Sequence, residues 1–503
     1  MNDLLWGAST PKVLSIRVDV PFGKRSDAMA ALEGLYGVRK VNEGNGDTFD
    51  CEVDADIEAE DLLSQLIDTR LVNRHNTLVS SKREEEEEEE EETTFVLKED
   101  AVIAGPLDRV TVITGEKRRR LQCVDVLKGI AVVEFIMTQA QPDPSNTYHI
   151  FQEWDGLSNG DLYMPFFLFI VGISISFASR GFRRVHRGVG WKMILRQFLF
   201  LVVLHFITKA AETEWPYGDT FRIPGPLLKV AICYSVVSLS TIFLSRRMRR
   251  FFIVQLFFIY FSLTRGVFVP YCGRGVLTPN CNSAGYIDRL IFGAHKTYPN
   301  DSSGFVTLFS SIILTFIGLE YGRIIQGCES GGTFTIRRMK LLRWAGLSAF
   351  LIVNAVGGHY TWEPINRRVW STSFVAATGG LCSLVLLVLY LLLDVSPTRD
   401  YKFLKVLFKP VEKLGMFPIT IWMLMKIYIA LFGNILRVPS VEGTSISAWM
   451  YLYESIANAI GVESRQLVSA GMAVFALFGW AGSSFVIHWA RNNYGLLNLR
   501  GTQ

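Results

Sequence analysis

The sequence predicts a polytopic all-α membrane protein of about ten transmembrane helices, carrying an N-terminal α+β ferredoxin-like (βαββαβ) domain. Three observations predict it. Half of the 503 residues are hydrophobic, with 35 phenylalanines and a mean hydropathy of +0.26, more apolar surface than one soluble core can hide. From residue 120 onward, apolar segments near the ~20 residues of a bilayer-spanning helix alternate with short polar loops. Before that point the pattern is of strand and helix periods, closed by a run of nine glutamates at 84–92.

That run masks a basic remainder behind the formal charge of +4. The basic clusters are short and flank apolar segments, which speaks for membrane orientation and against a nucleic-acid partner. The first thirteen residues lack a cationic start and a continuous apolar region, so no signal peptide is expected. Seven scattered cysteines form no CxxC or Cys/His spacing, and no metal is expected.

In chain order, residues 11–78 read as strand (VLSIRVDV), helix (SDAMAALEGLYGV), strands (VRKV and DTFDCEVDA), helix (EAEDLLSQLI) and strand (RLVN). This order resembles a heavy-metal-associated domain. The loop that carries the metal-binding CxxC in that family here reads PFGKRSDA, and Lys24 and Arg25 cannot replace soft thiolate ligands. The expected role is a small module that binds a cytosolic protein. Residues 79–118 carry the glutamate run and no strong period, and read as an acidic, hydrated linker.

Residues 119–503 form the membrane domain. The expected spans are 124–139, 162–178, 194–210, 227–244, 252–269, 305–325, 342–356, 374–393, 417–435 and 467–490, with an amphipathic surface helix at 448–462. Lys and Arg are retained in the cytosol during insertion. Arg183 and Arg184, Arg246 and Arg247, Arg337 and Arg338, and Lys402 and Lys405 all follow even-numbered spans, so both termini are expected to be cytosolic. The opposite loops hold the sequon Asn300-Asp301-Ser302 and two cysteines, Cys272 and Cys281, able to close a short disulfide there.

Those opposite loops also gather the unusual residues: EWDGLSNGD, TEWPYGDTFRIPGPL, CNSAGYIDRLIFG and INRRVWS. Taken together they mix Trp, Asn, Arg and carboxylate with Gly and Pro, the composition of a shaped polar site. Singly, the same residues also serve as interfacial anchors. Within the spans, Glu134 needs a partner, for which His205 and Lys229 are candidates. Lys128, beside Asp125, and Lys426 are read as snorkelling, with contact to a phosphate as the alternative.

The blocks RLQCVDVLKGIA, EWDGLSNGDLYMPFFLFIVGISI, FRIPGPLLKVAICYSVV, SAGYIDRLIFG, INRRVWSTSFV and LGMFPI, in this order, resemble the heparan-α-glucosaminide N-acetyltransferase family of transmembrane acyltransferases. The resemblance covers nearly everything from Arg120 onward. It implies acetyl transfer from cytosolic acetyl-CoA, as co-substrate and without a metal, to a lumenal amino sugar or related acceptor. It also implies an endomembrane, lysosome- or vacuole-like, or plasma-membrane location. Expected partners are the bilayer, a small-molecule or glycan substrate and, as a further option, a second copy of the chain.

Such a reaction needs a base for the amine proton and donors for the developing oxyanion. The family places a histidine three residues before its tryptophan, where this chain has Phe151. The base is then His149, two residues upstream, or a carboxylate, Glu153 or Asp155, with Asp161 orienting it. Gln139 stands where the family carries an asparagine; Trp154, Arg222, Asp288, Arg289, Asn366 and Trp370 fit its pattern as substrate-binding residues. The alternative from another class is a catalytically degenerate member that binds or transports, because phenylalanine does no proton chemistry.

Overall fold

A computed structural model describes residues 121–142, 151–184, 187–212, 222–293, 300–329, 334–395, 401–439, 445–461 and 465–494, and five N-terminal strands. The chain divides into two compact units, Ser9–Arg120 and a second that contains Leu121–Gln503.

In the first unit the strands are β1 (Leu14–Asp19), β2 (Val38–Glu43), β3 (Thr48–Val53), β4 (Glu92–Phe95) and β5 (Arg109–Thr114). They form one antiparallel sheet in the order β2-β3-β1-β5-β4. Ile16 is registered with Cys51 on one side and Val112 on the other. Two strands therefore fall inside 79–118, where the sequence reading placed a linker. RVTVIT is rich in β-branched residues, and such a segment pairs readily with an open strand edge. The two helices and the strand at 70–73 expected from the sequence lie outside the described residues.

The second unit is helical: α1 (Gln122–Gln139), α2 (Tyr163–Arg184), α3 (Arg187–Glu212), α4 (Pro226–Phe243), α5 (Arg246–Phe261), α6 (Ser283–Phe292), α7 (Phe305–Glu329), α8 (Phe334–Thr361), α9 (Thr372–Leu393), α10 (Lys402–Met416), α11 (Pro418–Ile429), α12 (Ala448–Ile460) and α13 (Arg465–Tyr494). Among the described residues seven helices are long and apolar enough to cross a membrane, and eight if α10 and α11 count as one bent span. The other two expected spans are helical but less suited to lipid. α1 carries Asp125, Lys128 and Glu134 within 18 residues, and α5 begins with four arginines and ends at Phe261. The expected surface helix is α12, most of whose side chains are exposed or half-buried.

Small residues let the helices approach closely, as lipid-embedded packing requires. A Cβ at Gly172 of α2 would overlap the Thr315 carbonyl of α7, and one at Gly318 would overlap the Phe169 carbonyl. A Cβ at Gly129 of α1 would overlap the Val411 carbonyl of α10, and one at Gly415 of α10 the Asp125 carbonyl of α1. α1 has no cap from its own Leu121; the Asp394 carboxylate, just past α9, accepts from the N–H groups of Gln122 (3.1 Å) and Cys123 (2.8 Å) instead. Near its middle the bundle is broken. Pro418 cannot continue α10, so α11 starts there at 75° to it.

The start of α1 and the α2/α3, α4/α5, α7/α8 and α9/α10 junctions make a basic end. The remaining loops join one another at the far end, through Arg222 to Asp301, Gly156 to Ile365, and Trp154 to Leu277.

Candidate functional site

The far end is built around Asp161. A single 3₁₀ turn, Asn159–Asp161, precedes α2, and Ser158 and Asp161 cap each other across it. Asp161 is fully buried. Its Oδ2 accepts from the Gln152 N–H (3.2 Å), the Ser158 N–H (3.0 Å) and the Ser158 hydroxyl (2.9 Å). Its Oδ1 lies 2.6 Å from Nε of Arg367, in the loop between α8 and α9. Burial pulls the Arg367 guanidinium below its usual range, and the Asp161 charge opposes that shift. The same guanidinium lies over the Phe151 ring, 4.1 Å from its centroid.

Asn366 ties this centre to the loop before it. Buried itself, it accepts at Oδ1 from the N–H groups of Arg368 (2.8 Å) and Val369 (3.2 Å), and its amide donates to Oδ1 of Asp155 at 3.2 Å. Asp155 is exposed, so its carboxylate faces solvent from a fixed position. Trp154 donates its indole N–H to the Leu277 carbonyl (3.0 Å) and packs on a small core of Tyr260, Ala284, Val306 and Val369.

Trp370 is buried with φ of 51°, a left-handed conformation that a bulky residue adopts only where its surroundings enforce it. Nζ of Lys229 sits 3.5 Å above its ring and donates to the Ser302 carbonyl at 2.7 Å. Tyr260 donates to Glu363 (2.9 Å), which also accepts from the Thr372 N–H at 2.8 Å. Arg222 grips both oxygens of buried Asp301. Asp288 accepts from the Phe305 N–H at 2.8 Å and so caps α7, whereas Arg289, one residue later, is exposed. Asp301 and Asp288 thus hold the frame around Asp161.

A second group continues from Phe151. Ring centroids step from Phe151 to Tyr163 (6.3 Å), to Phe135 (5.6 Å) and to Trp422 (5.9 Å). At the end of this row Lys426 donates to Oε1 of Gln139 at 3.1 Å. The wholly apolar cavity beside it is lined by residues including Met164, Phe167, Val230, Ile419 and Trp422. Lys426 was expected to snorkel; instead α11 enters the bundle at its bend and turns this side chain inward. Lys128 does not snorkel either. It is fully buried, and its ammonium pairs with Asp125 at 2.9 Å within one turn of α1.

Of the expected site residues, Asp161, Asp155, Asn366 and Trp154 come together, with Trp370, Arg222 and Asp288 in the frame and Gln139 on the aromatic row. His149 lies outside the described residues. Cys272 and Cys281 are joined by a disulfide. Asn300 is half-buried; its amide donates to the Pro279 carbonyl (2.6 Å) and its oxygen accepts from Asn282 (2.7 Å). Sequence reasoning missed Arg367 and Tyr163. Arg367 stood inside the INRRVWS block beside Asn366, so its signal was position within a block. Tyr163, two residues after Asp161, carried none.

No family model matches the chain. It is 26% identical to heparan-alpha-glucosaminide N-acetyltransferase of Mus musculus, over 55% of this chain and 50% of that protein. It is 25% identical to heparan-alpha-glucosaminide N-acetyltransferase of Homo sapiens, over 55% and 49%. The chain is related to the heparan-α-glucosaminide N-acetyltransferases. It spans about half the length of these curated relatives.

Proposed function

We propose that the chain is a transmembrane N-acetyltransferase that moves acetyl from cytosolic acetyl-CoA to an amino sugar, or a related amine, at its far, lumenal end. The observation that carries this reading is the meeting of two loops distant in the chain on Asp161, Arg367, Asn366 and Asp155, in a relative of named N-acetyltransferases. In the reaction the amine nitrogen attacks the thioester carbonyl, the C–N bond forms, the C–S bond breaks, and the proton lost by nitrogen ends on the departing thiolate. Asp161, engaged by three donors and a guanidinium, is placed to orient the reacting groups. The base is Asp155, solvent-facing and steadied by Asn366, or His149 from the adjoining segment.

Around this core the reading includes ten crossings, with α1 and α5 added to the eight apolar spans counted when α10 and α11 form one bent span, cytosolic termini, a glycan at Asn300 and an endomembrane or plasma-membrane location. It assigns residues 11–78 to a ferredoxin-like module for a cytosolic protein, 79–118 to an acidic segment whose β4 and β5 join the sheet of that module, and 119–503 to the acyltransferase-like domain; a homodimer fits the same scheme. The second reading, a binding or transport protein without turnover, is favoured by one contact: Arg367 covers the ring of Phe151, where the related enzymes are expected to carry a proton-transferring side chain.

The deciding experiment supplies membranes bearing the full chain with labelled acetyl-CoA and a glucosaminide. Label on the sugar that is lost in Asp161→Asn and His149→Ala supports the enzyme with a histidine base; label that survives His149→Ala and falls in Asp155→Asn moves the base to the carboxylate. Binding of acetyl-CoA without label transfer overturns the enzyme reading in favour of the second.

A further inference from the structure

A half-buried amine, hydrogen-bonded inside the bundle near the lumenal end of a membrane helix, requires a reason, since a charge there is costly unless it serves a cavity or partner. Lys426 lies eight residues past Pro418, about 12 Å along α11 at 1.5 Å per residue, on the side of the break away from the basic end. That is the wrong half of the bundle for phosphates of a cofactor arriving from the cytosol. It is the right half for the acyl group that such a cofactor would deliver.

Its surroundings fit the second role. A hydrogen bond to Gln139 and two nearby rings, Phe135 with centroid 6.0 Å away and Trp422 at 5.8 Å, are among the groups that hold the ammonium. Trp422 also forms a wall of the apolar cavity next to it, so a cation and a small greasy space share one side chain. A thioester acyl group has this two-sided character, with an oxygen that gains negative charge during attack and an alkyl part that avoids water.

We infer that Lys426 donates to the acyl carbonyl oxygen and holds the oxyanion, with Gln139 positioning the ammonium and the cavity at Phe167, Val230 and Ile419 receiving the alkyl part. The inference rests on the acetyl-transfer reading above. No bond to Lys426 is made or broken. The amine nitrogen of the acceptor attacks, the carbonyl electron pair moves onto oxygen beside the ammonium, and it returns as the C–S bond breaks.

The test uses the purified full chain, with turnover from labelled acetyl-CoA and separate binding titrations of acetyl-CoA and free CoA. Lys426→Met is expected to lower kcat about 100- to 1000-fold, the loss typical of one oxyanion donor, with little change in KM. Lys426→Arg is expected to recover part of that loss, since it restores the charge with a different geometry. Independently of turnover, the wild type is expected to bind acetyl-CoA several-fold more tightly than CoA, and Lys426→Met to bind the two alike. Full turnover and unchanged discrimination in Lys426→Met overturn the inference. A wild type that discriminates through Lys426 yet transfers no label overturns the transferase reading and leaves this contact standing; a wild type with neither property overturns both. Thermal unfolding of each variant separates a misfolded protein from one that has lost the donor, and the Arg variant keeps the test valid if the Met variant fails to fold.

Discussion

Nε of Arg367 lies 2.6 Å from Oδ1 of Asp161, joining the loop before α9 to the turn before α2 across more than two hundred residues of chain. Both side chains are largely removed from water, at 13% and 0% exposure, so neither charge is tolerated well without the other.

Removing one partner is therefore expected to cost more than removing both. Asp161→Ala should lower stability by about 3–5 kcal/mol, the usual penalty for an orphaned buried charge. Combining it with Arg367→Met should return part of the loss. Thermal unfolding of the two single variants and the double variant in detergent gives the coupling; strictly additive losses would mean that the pair does not bind the two loops together.

Replacing Phe151 by histidine tests how Arg367 controls this position. An imidazole there would sit under a guanidinium, which disfavours its protonated form, so it should be neutral and able to accept a proton at physiological pH. Phe151→His is expected to raise acetyl transfer about 10-fold or more, with a pH profile whose acid limb lies below the ordinary histidine range. An unchanged rate would show that proton removal at this place does not limit turnover.

Asp394 gives a pH-dependent measure of the basic end. Burial raises its carboxyl above the usual aspartate value, while the N–H groups of Cys123 and Gln122 pull the other way. A folded value above the unfolded one means that its titration contributes stability at pH below the unfolded value. That contribution is lost as pH rises through the folded value. Wild type should therefore lose stability relative to Asp394→Asn over the mildly acidic range above about pH 4. Asp394→Ala, which removes the cap of α1, should be about 1–2 kcal/mol less stable than Asp394→Asn at every pH, since neither side chain titrates. Denaturation midpoints of the three proteins across pH 4–7 check both statements, and parallel curves would contradict the first.

The α2–α7 contact should tolerate no side chain. Gly318→Val places methyl groups in the Phe169 carbonyl, and is expected to abolish monodisperse protein in size-exclusion profiles, whereas Gly471→Val, at a glycine with nothing within 4 Å of its Cβ position, should not.

Much of this architecture was legible because its signals are local. Apolar length gave the positions of the helices, loop charge grouped their ends, and dense blocks such as WDGLSNGD and INRRVWS marked the loops that meet around Asp161. What escaped notice depends on distance in the chain. Lys426 and Gln139 are 287 residues apart, and only the bend at Pro418 brings them together; without it a lysine on an apolar helix reads as snorkelling. Lys128, read as snorkelling, differs in that its partner Asp125 stands only one turn away, so the pair is closed within α1 itself. The sheet escaped because RVTVIT stood beyond the glutamate run, where composition outweighed a six-residue β pattern.

The loop that holds Asn300 has a clock built into it. The nitrogen to which a sugar would be attached is the one that donates to the Pro279 carbonyl, two residues from Cys281; the next residue in the sequon, Asp301, is locked by Arg222. An oligosaccharide-transferring enzyme can reach that nitrogen only before the loop closes. In the lumenal placement proposed above, addition and closure would compete, and the occupied fraction in a eukaryotic host would record which was faster. Cys272→Ser, which delays closure, should raise that fraction on a gel-shift assay. A fraction independent of the disulfide would show that the loop stays open long after synthesis.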